Sequence, residues 1–186
     1  MDNKTYDVIV AGGGPAGYTA AMYAARSGYT VAVVEQMSAG GQMATTETVE
    51  NYPGFDDGID GFELGERMQR GAERFGVVTV YAKIKSLNLK ASPKTVETTA
   101  GMLNAKAVVI ATGAKPRLLG VEGERELTGK GVAYCAVCDG MRYKGKVAVV
   151  VGGGNSAAAD ALYLSKICEK VYLVHRRDRL RASKVY

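Results

Sequence analysis

A short apolar strand pattern, a glycine turn and an alanine-rich helix pattern occur twice in this chain, 140 residues apart from Gly12 to Gly152. Val8-Ile-Val-Ala-Gly12-Gly-Gly14-Pro-Ala-Gly17 aligns with Ala148-Val-Val-Val-Gly152-Gly-Gly154-Asn-Ser-Ala157. The β-branched runs before the turns predict buried strands, and the stretches Ala16 to Arg26 and Ser156 to Lys166 predict helices. A second strand follows each helix, at Val31 to Val34 and at Val171 to Val174. The offset holds without a gap as far as Glu35, which falls opposite His175. Such a duplication is sought before anything else because it decides the architecture. This one is the βαβ dinucleotide fingerprint, present twice. The expected fold class is therefore α/β, with two Rossmann-like, three-layer domains.

The glycines have physical jobs. They allow a tight turn, a close approach of backbone to a pyrophosphate, and close packing of helix on strand. A pyrophosphate then rests on the free N–H groups at the helix start. The candidate cradle residues are Gly12, Gly14, Pro15, Ala16 and Gly17 in the first copy, and Gly152, Gly154, Asn155 and Ser156 in the second. The residue closing the second strand separates the two sites. Glu35 can accept hydrogen bonds from ribose hydroxyls, as in sites for FAD or NAD. In the second copy His175, Arg176 and Arg177 stand there, with Arg181 close behind. A carboxylate would repel a 2′-phosphate, whereas guanidinium groups pair with it, so the second site is expected to prefer NADPH.

The formal net charge of +5 sharpens that reading. From Lys170 onward the bases Lys170, Arg176, Arg177, Arg179, Arg181 and Lys184 face a single acid, Asp178, so the rest of the chain is balanced. A basic tail can serve nucleic acid, but no aromatic stacking platform accompanies these residues, and nucleic acid is not an expected partner. No uncharged apolar run reaches the roughly 18 residues of a membrane span. The apolar stretch from Val8 is broken by the glycine turn and flanked by Asp2 and Asp7, unlike a signal peptide. A soluble, cytoplasmic protein is expected.

Three cysteines, an odd number, do not suggest a secreted disulfide scaffold. Cys135 and Cys138 form a CxxC within Ala133-Tyr-Cys-Ala-Val-Cys-Asp139-Gly140, shortly before the second fingerprint. In such a pair one thiolate attacks a disulfide and the other resolves the mixed intermediate. Asp139 follows directly and can supply or accept a proton. The alternative is half of a zinc site. Structural zinc needs four nitrogen or sulfur ligands, and only Cys168, in the predicted helix before Lys170, and His175 remain. No metal is therefore expected. A single histidine also argues against a Ser-His-Asp or Cys-His hydrolase.

Between the fingerprints, Gly40-Gly41-Gln42 and the turn Asn51-Tyr52-Pro53-Gly54 follow the first βαβ unit. Gly61 to Phe75 has the pattern of an amphipathic helix. Val77 to Tyr81, Ile84 to Leu89 and Thr95 to Thr99 alternate as strands do. Ala107 to Ala114 is an apolar strand ending in a glycine turn, which closes the first domain's sheet. Pro116 and the charged stretch from Val121 to Lys130 make a linker. The expected domains are residues 1–116 and 117–186.

Together these segments resemble the low-molecular-weight, bacterial-type NADPH-dependent thioredoxin reductases. The shared signals are Gly12-Gly-Gly-Pro-Ala-Gly17, Gly40-Gly-Gln42, Glu50-Asn-Tyr-Pro-Gly54, Ala111-Thr-Gly-Ala114, Cys135-Ala-Val-Cys-Asp-Gly140, Gly152-Gly-Gly-Asn-Ser156 and His175-Arg-Arg177 with Arg181. They cover essentially the whole chain, and the CxxC just before the second fingerprint is the most specific of them. The resemblance implies an FAD domain with an inserted NADPH domain. FAD would lie on the first turn and Glu35, its flavin end near Gly41, Gln42, Asn51 and Ala111, Thr112 and Gly113. NADPH would reduce the flavin, and the flavin would reduce Cys135–Cys138. Cys138 would face the flavin, and Cys135 would attack the disulfide of thioredoxin with Asp139 as general acid. The resemblance further implies alternation by rotation of one domain against the other, and a homodimer at full length.

The chain departs from that family at its end. It stops at Lys184-Val-Tyr186, where family members continue through the rest of the nucleotide domain and back into the first domain. The NADPH domain is therefore expected to be incomplete. The 186 residues alone are expected to bind FAD weakly and to show little NADPH-dependent disulfide reduction. Two other readings stay open: a related flavoprotein reductase that serves a peroxidase, and a non-enzymatic dinucleotide-binding module.

Overall fold

The computed structural model describes residues 5–185, which divide into two compact units between Lys115 and Pro116. In the first unit the order is β1 (Thr5–Ala11), α1 (Pro15–Arg26), β2 (Val31–Glu35), a 3₁₀ turn (Gly41–Thr45), α2 (Gly61–Glu73), β3 (Val78–Tyr81), β4 (Ile84–Asn88), β5 (Lys94–Thr98) and β6 (Gly101–Ile110). The sheet order is β3-β2-β1-β6-β5-β4. β3, β2, β1 and β6 run parallel, and β5 and β4 are antiparallel.

β1 and β2 are nearly continuous apolar runs because both of their faces are covered. On one face Val10, Val31 and Val33 pack with Tyr18 and Ala21 of α1 and Ala72 of α2. On the other, Ile9 and Val34 pack with Val96 of β5 and Ala105 of β6. The third layer of this unit is thus supplied by strands rather than helices. α2 begins where Asp60 accepts the Glu63 N–H at 2.8 Å, a side-chain cap. Its outer face carries Glu63–Arg67 and Glu66–Arg70 ion pairs four residues apart.

β6 is the clearest difference from expectation. The apolar run predicts a strand over Ala107 to Ala114, but the strand runs from Gly101 to Ile110. Its first half pairs antiparallel with β5 and its second half parallel with β1, with Asn104 and Ala105 paired on both sides. Two partners hold the polar Asn104 in a strand that its own propensity does not favour. Beyond it, the Ala111 N–H still donates to the Ala11 carbonyl at 2.8 Å before the chain turns away at Gly113. At the strand's other side Asp7 accepts from the Thr30 N–H (2.8 Å), the Thr30 hydroxyl (2.7 Å) and Lys106 (2.7 Å). One carboxylate therefore ties β1, the loop before β2, and β6.

The second unit holds a short helix α3 (Ala136–Asp139), a 3₁₀ turn (Gly140–Tyr143), β7 (Val147–Val151), α4 (Asn155–Leu164) and β8 (Lys170–Val174). β7 and β8 pair in parallel from Val147↔Lys170 to Val151↔Val174. α4 stops at Leu164 and not at the predicted Lys166, and the chain continues in turns. Cys168 lies in those turns rather than in the helix, half-buried, with its thiol donating to the Tyr143 carbonyl at 3.4 Å. The stretch from Val121 to Lys130 is not an open linker either. It is folded through successive turns, with Gly129 N–H on the Val132 carbonyl and Val132 N–H on that of Leu127, both at 2.9 Å.

Candidate dinucleotide turns and redox disulfide

The repeat extends to individual hydrogen bonds. The Gly12 N–H donates to the Val34 carbonyl at 2.9 Å, and the Gly152 N–H donates to that of Val174 at 2.9 Å. Gly14 and Gly154 both cap their helices in extended backbone (φ −80° and −97°). Their carbonyls accept the N–H of Tyr18 at 3.0 Å and of Ala158 at 3.1 Å. The middle glycine's carbonyl receives the following loop in both copies. Gly13 accepts from Gly40 at 2.8 Å, and Gly153 accepts from Arg181 at 2.6 Å and Ala182 at 3.0 Å. Gly12 has φ +107°, a conformation open to glycine, and a methyl there would strike the Ala111 carbonyl oxygen. By contrast, a methyl on Gly14 or Gly154 would meet nothing within 4 Å. The open side of each turn is therefore clear of protein atoms at the helix N-terminus.

The strand-end residues fill the same place with different chemistry. Glu35 Oε2 accepts the Gly13 N–H at 2.7 Å, and Oε1 accepts those of Gln36 (2.7 Å) and Met37 (3.1 Å). The carboxylate is thus fixed at the turn, with one of its roughly four lone-pair sites, on Oε2, left for a hydroxyl donor. The His175 ring lies over Gly153 as Glu35 lies over Gly13, for a methyl on Gly153 would sit 2.5 Å from the ring. Its Nε2 is buried without a hydrogen-bond partner, an orphaned polar atom facing the second turn. Arg176, Arg177 and Arg181 are exposed.

Several further residues predicted from the sequence come together around the first turn. Gly41 reaches Gly14, with its potential Cβ 3.4 Å from the Gly14 Cα, and Ala111 and Thr112 close on Gly12. Gln42 and Gly113 are exposed beside them. Asn51 instead lines a separate surface depression with Glu50, Tyr52, Pro53, Gly54, Phe55 and Asp56. In the second unit Asn155 uses its side-chain oxygen to accept the Ser183 N–H at 2.8 Å, which anchors the loop carrying Arg181. Gly13 and Gly153, whose carbonyls receive the following loops, are not individually conspicuous as site residues in the sequence, and the offset of 140 that pairs them is the signal that finds them.

Cys135 and Cys138 are joined in a disulfide, with Cα atoms 5.3 Å apart. Cys135 is half-buried and Cys138 exposed. Cys135 is also the cap of α3: its sulfur accepts the Cys138 N–H at 3.2 Å. An N–H aimed at that sulfur favours negative charge there once the bond opens. Asp139, half-buried, closes α3, its N–H donating to the Cys135 carbonyl at 3.1 Å. Gly140 then packs against Tyr163, Leu164 and Ile167, and so fixes the redox segment to α4.

The family model for pyridine nucleotide-disulphide oxidoreductases matches residues 6–185. The chain belongs to that family. It is 48% identical over 184 residues to a thioredoxin reductase of Bacillus subtilis, which covers 99% of this chain and 58% of that relative. Among solved structures, thioredoxin reductase from Streptococcus pyogenes matches with TM-score 0.87 at 48% identity, covering 99% of this chain and 60% of that one. That from Giardia duodenalis matches with TM-score 0.90 at 41% identity, covering 98% and 59%. The chain thus spans about three-fifths of the length of these relatives. Among the described residues no helix is long and apolar enough to cross a membrane.

Proposed function

We propose that the chain is the cofactor-turn and disulfide-bearing part of an NADPH-dependent thioredoxin reductase, working in the cytoplasm and dimeric at full length. The observation that carries this reading is the pair of glycine turns held by matching backbone hydrogen bonds, with a Cys135–Cys138 disulfide set just before the second. On this reading residues up to about Pro116 form the first part of an FAD domain. The Gly12–Gly17 turn would hold FAD, with Glu35 on its ribose and Gly41, Gln42, Asn51 and Ala111–Gly113 toward the flavin. The Gly152–Ser156 turn would hold NADPH, with His175, Arg176, Arg177 and Arg181 on its 2′-phosphate. Bound there, these groups supply hydride transfer and a two-electron relay that opens the disulfide.

The protein's own residues then carry out an exchange. The Cys135 sulfur, favoured as thiolate by the Cys138 N–H, attacks one sulfur of the thioredoxin disulfide. That disulfide breaks, a mixed disulfide forms, and the departing sulfur takes a proton from Asp139. The Cys138 thiol passes its proton to the Asp139 carboxylate and attacks the Cys135 sulfur; the mixed disulfide breaks, the Cys135–Cys138 bond is restored, and the second thioredoxin sulfur leaves as a thiolate that takes a proton from water. Two electrons have then passed from the pair to the acceptor.

The test is a trapping experiment on the 186-residue chain. Cys138→Ser leaves the attacking sulfur without its resolving partner, so oxidised thioredoxin should be captured as a covalent adduct seen by intact mass. Cys135→Ser should capture far less. The opposite order would reverse the roles of the two cysteines, and no adduct with either would overturn the reading.

A further inference from the structure

Glu124 is the one charged side chain buried among the described residues, 5% exposed, and the thiol–disulfide exchange does not use it. Its carboxylate is a shared acceptor. Oε1 receives the Leu119 N–H at 2.7 Å and the Tyr134 hydroxyl at 3.0 Å, and Oε2 receives the Gly120 N–H at 2.7 Å. Its own carbonyl accepts the Thr128 hydroxyl at 2.8 Å. Three stretches of the second unit converge on it: the entering segment at Leu119–Gly120, the turns through Thr128, and Tyr134. Tyr134 is covalently next to Cys135.

A buried carboxylate is costly unless every lone pair it turns inward is satisfied. Here two successive backbone N–H groups and one phenol supply that satisfaction, and the acceptor cannot move without breaking all three. The phenol is the link that matters for the disulfide. Cys135 sits in extended backbone (φ −142°, ψ 104°) between two anchors: α3, which it caps, and Tyr134, which is tied to Glu124. Loss of the Tyr134 link frees one end of the segment.

We propose that Glu124 is a positioning residue for the redox pair, acting through Tyr134 to hold Cys135 within bonding reach of Cys138. Holding two thiols together raises their effective concentration toward each other, which favours the closed disulfide over the dithiol. Loosening the clamp therefore makes the pair easier to reduce. The inference rests on the reading of Cys135–Cys138 as a redox pair.

The test is equilibration of the 186-residue chain with dithiothreitol of known oxidised-to-reduced ratio. In that reaction the reagent's two thiols lose two electrons and two protons and close to a cyclic disulfide, while the Cys135–Cys138 bond opens to two thiols. The fraction opened is read by alkylation and mass. Tyr134→Phe removes one hydroxyl and keeps the ring, and it should shift the equilibrium toward the dithiol by about three- to tenfold, the range one ordinary hydrogen bond sets. Glu124→Gln, which presents an amide donor to a backbone N–H, should shift it at least as far. The double variant should shift it no further than Glu124→Gln alone, since both changes break one link. Should Glu124→Gln fail to fold, Tyr134→Phe alone decides the matter, with a melting temperature measured alongside. An equilibrium constant unchanged within error in Tyr134→Phe would overturn the role of Glu124 while leaving the redox pair intact. A parent disulfide that the dithiol cannot open would instead overturn the redox reading itself.

Discussion

Replacing Gly17 by alanine is a sharp test of how the first fingerprint is packed. A methyl at this position would collide with the Gly12 carbonyl oxygen, and would lie 3.0 Å from the Gly12 carbonyl carbon and 3.5 Å from Val10 Cγ1. The first two are backbone atoms of the first glycine turn and the third is core, so no flexible side chain can swing aside. α1 has to lift from β1, which separates Tyr18 and Ala21 from Val10, Val31 and Val33. Overpacking of this kind costs about 3 kcal/mol at the upper end of its usual range. The gain in helix propensity from glycine to alanine returns about 1 kcal/mol. The net loss is about 2 kcal/mol, which for a chain of this size lowers the melting temperature by about 4–8 °C.

The second fingerprint is the internal control, because Ala157 already stands at the matching position. There the helix carries the methyl, and a Cβ added to Gly152 would sit only 2.8 Å from it. Ala157→Gly should therefore relieve nothing and cost about 1 kcal/mol of helix propensity. Thermal unfolding followed by circular dichroism, with FAD affinity by fluorescence quenching, measures both variants. A Gly17→Ala chain that melts within about 1 °C of the parent would refute the packing argument, since α1 would then have room to spare.

Three further outcomes are expected. Arg176→Ala combined with Arg177→Ala should weaken NADPH binding by at least about tenfold while leaving NADH binding nearly unchanged, because only the 2′-phosphate loses charged donors; calorimetric titration with both nucleotides checks this. Ile9→Ala, at a fully buried position between β1 and the β5–β6 strands, should cost about 2–5 kcal/mol and lower the urea midpoint without changing the slope. The Lys106 ammonium, with the Thr30 N–H and hydroxyl, holds the Asp7 carboxyl well below the usual carboxylate range. A depressed folded-state value means that the stabilisation is present above the ordinary value of about 4 and fades as pH falls below it. Melting temperatures should therefore drop more steeply from pH 6 to pH 3 in the parent than in Asp7→Asn.

The features legible in the sequence are the local ones. The strand, turn and helix of each fingerprint lie within a few tens of residues, and the apolar runs at Ile9–Val10 and Val31–Val34 are long enough to declare buried parallel strands. The candidate turns and the strand-end switch from Glu35 to His175 come from the offset alone. The features that escape depend on distant partners. The polar start of β6 is a strand because β5 and β1 flank it, and no periodicity in Gly101–Lys106 announces that. Asn155 and Ser183 meet across 28 positions, and the destination of the Asn155 oxygen is invisible along the chain. Glu124 reads as one charge in a charged stretch. Its burial comes from three donors converging on it, two of them backbone groups whose side chains carry no hint of the role.

The two turns also constrain how a preference between cofactors can arise. Their backbones are held by matching bonds: first glycine to the second strand, third glycine to the helix, middle carbonyl to the next loop. The backbone of the cradle is thus common to both copies, and the copies differ in side chains: Glu35 against His175 over the middle glycine, Pro15 against Asn155 and Gly17 against Ala157. Glu35 is bound by three N–H groups at the turn. His175 occupies that place with no hydrogen bond to Nε2, and the loop carrying Arg181 is docked on the Gly153 carbonyl and on Asn155. The same contact that in the first copy brings Gly40 to the turn brings a guanidinium-bearing loop to it in the second. The loop that carries Arg181 is thus docked through a hydrogen bond common to both copies, with only the side chains exchanged.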